Sequence, residues 1–309
     1  MQDQPRPSLW PGRLAKGTWF FSIPLVVFGG LVTTMRAGMA EDGWLRPEGT
    51  WLWLMPWERR VSSAGLFVEH HHREFGTIVG LLAIGTVLAA WLLRAGGRNV
   101  RIAAIGLTAI VLQGLLGGTR VLDNSPELAF LHGVAAQGVV GVLAWAAMAL
   151  TYRAEEHSVP GPARQAQPFQ WTGALTLALA VQVTLGAWYR HGHGHTAIAL
   201  HGFQAILVVW LAVRSKRALK AAAAHEAMPE AMATHLRKAA KYMTAMVHLQ
   251  WVLGGIALWA LFAVSGGMRS DKISDSEIVF STLHVLSGAL LVSSVANALL
   301  WSRRVKSAS

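Results

Sequence analysis

Four histidines of this 309-residue chain occupy matching places, each near the start of a long apolar segment: His72, His132, His201 and His284. Polar residues inside membrane spans are costly, so an ionisable side chain there indicates function by default. Imidazole is a common ligand of metal ions and of haem iron. A histidine that only binds a neighbouring carbonyl would explain any single position, but four equivalent positions favour a shared ligand-binding role.

The first of these histidines belongs to a charged stretch, EHHHR, which begins at Glu69 and ends at Arg73. Glu69 and His72 are three residues apart and therefore share one helix face. A carboxylate beside a pocket can accept protons or stabilise positive charge, and a guanidinium can bind a carboxylate through two parallel hydrogen bonds. A membrane-surface cap would also explain Glu69 and Arg73, but it does not explain three consecutive histidines.

A small residue follows each of the four histidines at a distance of four residues. Residues i and i+4 share a helix face, so a flat macrocycle could lie against the backbone beside the imidazole. Close helix–helix packing through small residues is the alternative explanation. The four small residues are Gly76, Ala136, Ala205 and Gly288.

An internal repeat connects three of the histidines to the segments that precede them. Residues 112–133 (LQGLLGGTRVLDNSPELAFLHG) align without gaps with residues 181–202 (VQVTLGAWYRHGHGHTAIALHG), and a third copy joins LQWVLGG (249–255) to LHVLSG (283–288). Each copy has a glutamine, a glycine four residues later, and a return segment that starts with Leu-His. The repeat predicts helical hairpins produced by duplication. Its glutamines and glycines are Gln113, Gln182, Gln250, Gly117, Gly186 and Gly254.

Hydrophobicity sets the fold class. The chain is 53% hydrophobic and 14% charged, whereas average soluble domains have about 25% charged residues. The apolar runs between the charged islands are long enough to cross a membrane, so we predict an all-α integral membrane protein with eight transmembrane helices. The predicted spans are Thr18–Gly38, Phe75–Leu93, Arg101–Gly118, Leu128–Thr151, Trp171–Tyr189, Ile198–Val213, Tyr242–Val264 and Ile278–Leu300.

The distribution of basic residues predicts the topology. Eight spans put both termini on one side, which holds 18 of the 27 Lys and Arg residues. The positive-inside rule then predicts cytoplasmic termini in a bacterial inner (plasma) membrane, with the histidines toward the outer face. Topology explains the net charge of +11, and we expect no nucleic-acid partner. We expect the first helix to stay uncleaved, although Arg36–Asp42 weakly resembles a signal-peptidase site.

The repeat also predicts the domain organisation. We expect two pseudosymmetric four-helix bundles, at residues 1–152 and 169–309, joined by a cytoplasmic linker at residues 153–168. Helical bundles commonly hold cofactors between facing helices. Two histidines in each bundle predict two haem sites, each with an axial pair. The absence of cysteine excludes disulfides, thioether-linked haem and thiolate metal sites.

These motifs resemble the haem A synthase family over nearly the whole chain. The resemblance rests on E-x-x-H-R at Glu69–Arg73, on Gln-x-x-x-Gly, and on Leu-His at the start of the return helices. It also rests on GGLVTTMRAG (Gly29–Gly38) and LGAWYRHG (Leu185–Gly192). Many relatives carry a cysteine pair in the loop after helix one, and here Met39–Phe67 has none.

The resemblance implies oxidation of the C8 methyl group of haem O to a formyl group, which gives haem A for cytochrome oxidase. By position, His72 and His132 would ligate or border the substrate haem, whereas His201 and His284 would hold a haem b cofactor. Glu69 would be the carboxylate beside the reacting methyl group. The second half has no E-x-x-H-R motif, which fits one reacting half and one binding half.

Further expectations concern propionates and partners. Arg73, Arg120 and Arg190 are candidates to bind haem propionates, and the His-Gly alternation at His191–His195 is a weaker candidate for a metal site. Expected partners are haem O, a haem O synthase, an unidentified electron acceptor, membrane lipid and a second copy of the chain. Two other interpretations remain open: a di-haem b-type cytochrome that only transfers electrons, and a haem transporter or chaperone.

Overall fold

The computed structural model describes residues 8–41, 43–152, 157–159, 167–191, 194–267 and 272–307. Within these ranges eight helices are long and apolar enough to cross a membrane, which confirms the predicted all-helical membrane fold. We label them α1 (Trp10–Thr34), α2 (Ala64–Leu92), α3 (Gly97–Leu122), α4 (Pro126–Thr151), α5 (Pro168–Arg190), α6 (Gly194–Ala223), α7 (Glu230–Trp259) and α8 (Asp275–Arg303). A π-helical turn, Ala260–Val264, extends α7.

Several helices begin or end away from the predicted span boundaries, and two of these differences affect the site. The first helix does not reach Gly38, because the backbone turns after Thr34 and Arg36 adopts a left-handed conformation (φ 55°). The second begins at Ala64 rather than Phe75, and the Ser63 side chain accepts the N–H of Leu66 at its start. The EHHHR stretch therefore lies in the second and third turns of α2 rather than at its start.

The helices that carry the four histidines start earlier than predicted, so each histidine lies farther along its helix. Hydroxyl caps begin α4 and α8, since Ser125 accepts from Leu128 N and Ser274 accepts from Glu277 N. We predicted histidines near the first turn, but they lie six to nine residues after the helix start, in the second or third turn. At 1.5 Å per residue this places them about 9–14 Å along the helices.

The helices pack as two consecutive sets of four. In each set neighbours in sequence pack together, and the first helix also packs against the fourth: α1 with α4, and α5 with α8. The sets meet where α8 packs on α1 and α4, and α4 on α5. Large apolar side chains such as Phe203 and Leu177 point outward and remain exposed, as expected for a surface that faces lipid.

The first and last described residues lie at the same end of the bundle. There the Tyr152 ring contacts the rings of His235 (centroids 5.0 Å apart) and Trp301 (5.6 Å). Two three-residue strands, β1 (His157–Val159) and β2 (Val305–Ser307), pair in parallel at this end. Residues 153–156 and 160–166 of the predicted linker lie outside the described residues. We call the opposite end the outer end, following the predicted topology.

Residues 214–241 consist of the end of one helix and the beginning of the next. α6 continues to Ala223 and α7 begins at Glu230, so only a short turn separates them. Some alanines of this segment, including Ala222 and Ala239, are fully buried. They belong to the largest apolar core of the molecule, which lies in the second set of helices.

Candidate functional site

The structure brings the four sequence-predicted histidines together as two pairs. The rings of His72 on α2 and His132 on α4 have centroids 6.4 Å apart at an interplanar angle of 83°. The rings of His201 on α6 and His284 on α8 are 6.2 Å apart at 77°. Each pair therefore joins the second and fourth helices of one set, across the interior of the bundle.

This spacing fits two imidazoles on opposite sides of one iron. A metal-bound imidazole nitrogen lies about 2.0 Å from the metal and about 1 Å from its ring centre, so opposed rings are about 6 Å apart. The Nδ1 atoms of His72 and His201 lie 3.1 and 3.0 Å from the carbonyl oxygens of Leu25 and Gln182. A histidine that donates Nδ1–H to a carbonyl carries no proton on Nε2, which is the form of Nε2 that binds a metal.

A glycine on the preceding helix faces each histidine ring. A Cβ atom on any of these glycines would lie 2.8–3.0 Å from the imidazole Cε1, closer than normal packing allows. The four glycines are Gly29, Gly117, Gly186 and Gly254, opposite His72, His132, His201 and His284. Gly29 was missed as a member of this set, so the repeat has a fourth copy in α1 and α2.

The fourth copy was hidden because its glutamine position holds Leu25. In the other three copies the glutamine amide contacts the facing histidine: the Nε2 atoms of Gln113, Gln182 and Gln250 lie 3.1–3.2 Å from an imidazole nitrogen. His72 alone among the four has an apolar side chain at that position. The small residues Gly76 and Gly288 lie against Leu25 and Gln250, so helix packing already accounts for those two.

The facing glycines allow a direct test of histidine placement. We expect Gly186→Val to displace His201 and to destabilise the protein by about 1–3 kcal/mol through overpacking. Haem content and thermal unfolding of the purified protein measure both effects. Gly173→Val is the matched control, since it is on the same helix and a Cβ there meets nothing within 4 Å. Equal behaviour of the two variants would contradict the assigned contact.

The Glu69 carboxylate is buried in α2, with 1% of the residue exposed. It accepts a hydrogen bond from Arg73 Nη2 (2.8 Å) and another from the backbone N–H of Glu41 (3.0 Å). Arg120 Nη2 on α3 lies 4.0 Å from the same carboxylate. Two guanidinium groups and a backbone N–H thus surround the buried Glu69 carboxylate.

A larger ionic cluster surrounds Glu69, and sequence analysis missed most of it. Glu41 is buried, with its carboxylate 3.1 Å from His70 Nδ1 and 3.3 Å from Arg73 Nη1. On the other side of His70, Glu74 lies 3.5 Å from its Nε2 and forms an ion pair with Arg60 at 2.8 Å. A glutamate in a loop gives no local signal of burial, because its partners lie about thirty residues away on α2.

The loop between α1 and α2 covers the outer end of the first set. Arg73 donates to the carbonyl oxygens of Glu41 (2.9 Å), Gly43 (2.6 Å) and Trp44 (3.1 Å). The Trp44 ring packs directly on Gly118 of α3, where any side chain would overlap it. Arg73 therefore ties this loop to Glu69 on α2, and Trp44 ties it to α3.

Loss of the Glu41 carboxylate should loosen this loop. We expect Glu41→Ala to destabilise the protein by about 3 kcal/mol, because it leaves His70 and part of Arg73 buried without their partner. Chymotrypsin cleavage at the exposed Trp51 and Trp53 should accelerate. Glu58→Ala, which changes an exposed glutamate of the same loop, is the control. Unchanged cleavage in Glu41→Ala would contradict a clamping role for Glu41.

Arg120 and Arg190, the other two arginines predicted to bind haem propionates, lie in different parts of the molecule. Arg120 lies against Gly38 at the outer end of the first set. Arg190, at the end of α5, donates to Thr34 Oγ1 (2.8 Å) and to the Gly30 carbonyl (3.2 Å) of α1, and so links the two sets.

Of the His-Gly tract, Gly192 and His193 lie outside the described residues. The described part of the chain contains no group of three metal-ligating side chains.

One curated protein shares sequence similarity with this chain. It is named Heme A synthase, comes from Rhizorhabdus wittichii, and is 27% identical over 221 residues. The chain is similar to a haem A synthase. The match covers 59% of this chain and spans 61% of the length of that relative. No protein-family model matches the chain.

Proposed function

We propose that this membrane protein oxidises the C8 methyl group of haem O to a formyl group and so makes haem A. The observation that supports this most directly is the buried Glu69 carboxylate three residues before His72, in one of two histidine-paired sets. Similarity to a protein named Heme A synthase supports haem A biosynthesis as the pathway. The product of that pathway is haem A, which cytochrome oxidase would use.

Two asymmetries coincide at His72 and support the first set as the reacting half. His72 is followed by Arg73 and preceded by Glu69, and it faces Leu25 where the other three histidines have a glutamine. His201 and His284 have no buried carboxylate among their described contacts. We therefore assign His72 and His132 to the substrate haem O, and His201 and His284 to a haem b cofactor.

In this assignment each side chain has a defined task. His201 and His284 would hold haem b, which would supply a redox centre between the substrate and an external electron acceptor. Glu69 would take protons from the reacting methyl group, while Arg73 holds its carboxylate in place and Arg120 lies beside it. With water as the source of oxygen, removal of two electrons and two protons would turn the methyl group into an alcohol, and a second such oxidation would give a hydrated aldehyde that loses water. The loop clamped by Arg73, with Trp44 on Gly118, would exclude bulk water.

The partners follow from this chemistry. A haem O synthase would supply the substrate, and a membrane or outer-face acceptor would remove the electrons. Arg120 and Arg190 lie at the outer ends of α3 and α5 and keep guanidinium N–H groups for haem propionates, whereas the N–H groups of Arg73 hold the loop. The protein would lie in the bacterial plasma membrane with cytoplasmic termini and outward haem sites.

The decisive experiment is mass analysis of haems extracted from cells that make this protein together with a haem O-producing enzyme. We expect a new haem in which one oxygen has replaced two hydrogens of haem O. Haem b that stays bound while haem O is unchanged would instead favour a di-haem electron-transfer cytochrome. Haem that exchanges freely during purification, with no product, would favour a carrier.

A further inference from the structure

An elongated cavity of about 700 Å³ lies between α6 and α7, away from both histidine pairs. Its walls are apolar side chains such as Val209, Val213 and Val252, and Trp251 stands at its exposed side. This volume is within the range of about 300–1,000 Å³ typical of small-molecule sites. The cavity opens on the outward face of the bundle, where lipid would reach it laterally.

One end of this cavity is strongly basic. Lys216, Arg217 and Lys220 line it where α6 extends toward the end that holds the chain termini. None of the described ion pairs involves any of the three. Cations that share one mouth without a carboxylate partner repel each other, so an anionic group between them would be stabilised.

The length of the cavity along α6 matches the hydrocarbon thickness of one bilayer leaflet. Val209 and Lys220 are eleven residues apart on α6, which corresponds to about 17 Å of helix. One leaflet contributes about 15 Å of hydrocarbon. A single acyl chain in the groove would therefore reach the midplane while its headgroup lies among the three cations.

We propose that the groove between α6 and α7 is a binding site for a phospholipid with an anionic headgroup. One acyl chain lies along Val209, Val213 and Val252, and the phosphate contacts Lys216, Arg217 and Lys220. The site is separate from the proposed haem chemistry and does not depend on it. Basic pockets between membrane helices at the cytoplasmic side recognise acidic lipids by the same electrostatics.

Native mass spectrometry of the full-length protein in detergent tests the site. We expect phosphatidylglycerol to bind about tenfold or more tightly than phosphatidylcholine with the same acyl chains. The double variant Lys216→Gln/Lys220→Gln should weaken phosphatidylglycerol binding about 25-fold, or about fivefold per charge removed. Its affinity for phosphatidylcholine should not change. Val213→Trp, which fills the groove, should weaken both lipids.

The matched control is Arg98→Gln/Arg101→Gln, which removes the same charge from exposed positions at the same end of the molecule. It should bind phosphatidylglycerol as the unmodified protein does, and circular dichroism should show all variants folded. Equal affinity for the two lipids, or equal weakening by the control, would overturn the proposal. So would a dimer that Val213→Trp dissociates while lipid binding is unaffected.

Discussion

Glu69→Gln should reduce formation of the oxidised haem product by roughly 100- to 10,000-fold, the range lost when a proton-transfer group is removed. Glutamine has nearly the same shape and can still accept from Arg73, but it cannot take a proton. Haem b bound to the second set should stay at the level of the unmodified protein. The measurement is mass analysis of extracted haems together with the absorbance of the purified protein.

The control for this experiment is Glu127→Gln, which changes an exposed carboxylate at the start of α4. It removes the same charge from the outer end without touching the ionic cluster, and product formation should be unchanged. Glu69→Asp keeps a carboxylate at a shifted position and should retain part of the activity. Product at the unmodified rate in Glu69→Gln would exclude Glu69 from the chemistry and would favour a purely structural role in the loop clamp.

His201→Ala and His284→Ala should each lower bound haem b to about a tenth or less, since loss of an axial ligand removes more than about 1.4 kcal/mol of binding. The two rings face one another across the second set at 6.2 Å, so neither can replace the other. Haem b per protein, measured by absorbance on protein from cells that lack haem O, reports the loss. His248→Ala, which changes an exposed histidine of α7, should keep full haem.

The first pair gives the complementary result. His72→Ala and His132→Ala should retain haem b but lose the oxidised product when haem O is supplied, because this pair lies in the set that contains Glu69. Loss of haem b from these variants, with retention in His201→Ala, would reverse the assignment of the halves. Loss from all four variants would favour the di-haem electron-transfer cytochrome.

The sequence by itself determined the all-helical membrane fold and seven of the eight glycine and histidine positions that face one another. Hydrophobic runs report membrane spans locally, and the Gln-x-x-x-Gly and Leu-His repeat reports hairpins because each hairpin folds from neighbouring residues. The repeat alone therefore connects three glycines, Gly117, Gly186 and Gly254, with the histidines of their return helices. It does not connect Gly29 with His72, since Leu25 breaks the pattern.

Only the tertiary structure decided how Glu69 is held. Glu41 follows α1 by seven residues in an irregular loop, yet it is buried against His70 and Arg73 on α2. Nothing local predicts that burial, because a buried carboxylate is stable only when cations from elsewhere in the chain converge on it. The contact between Trp44 and Gly118 likewise forms only because the loop between α1 and α2 reaches α3. Such contacts join segments that are far apart in sequence, so they stabilise the protein only after the helices have packed together.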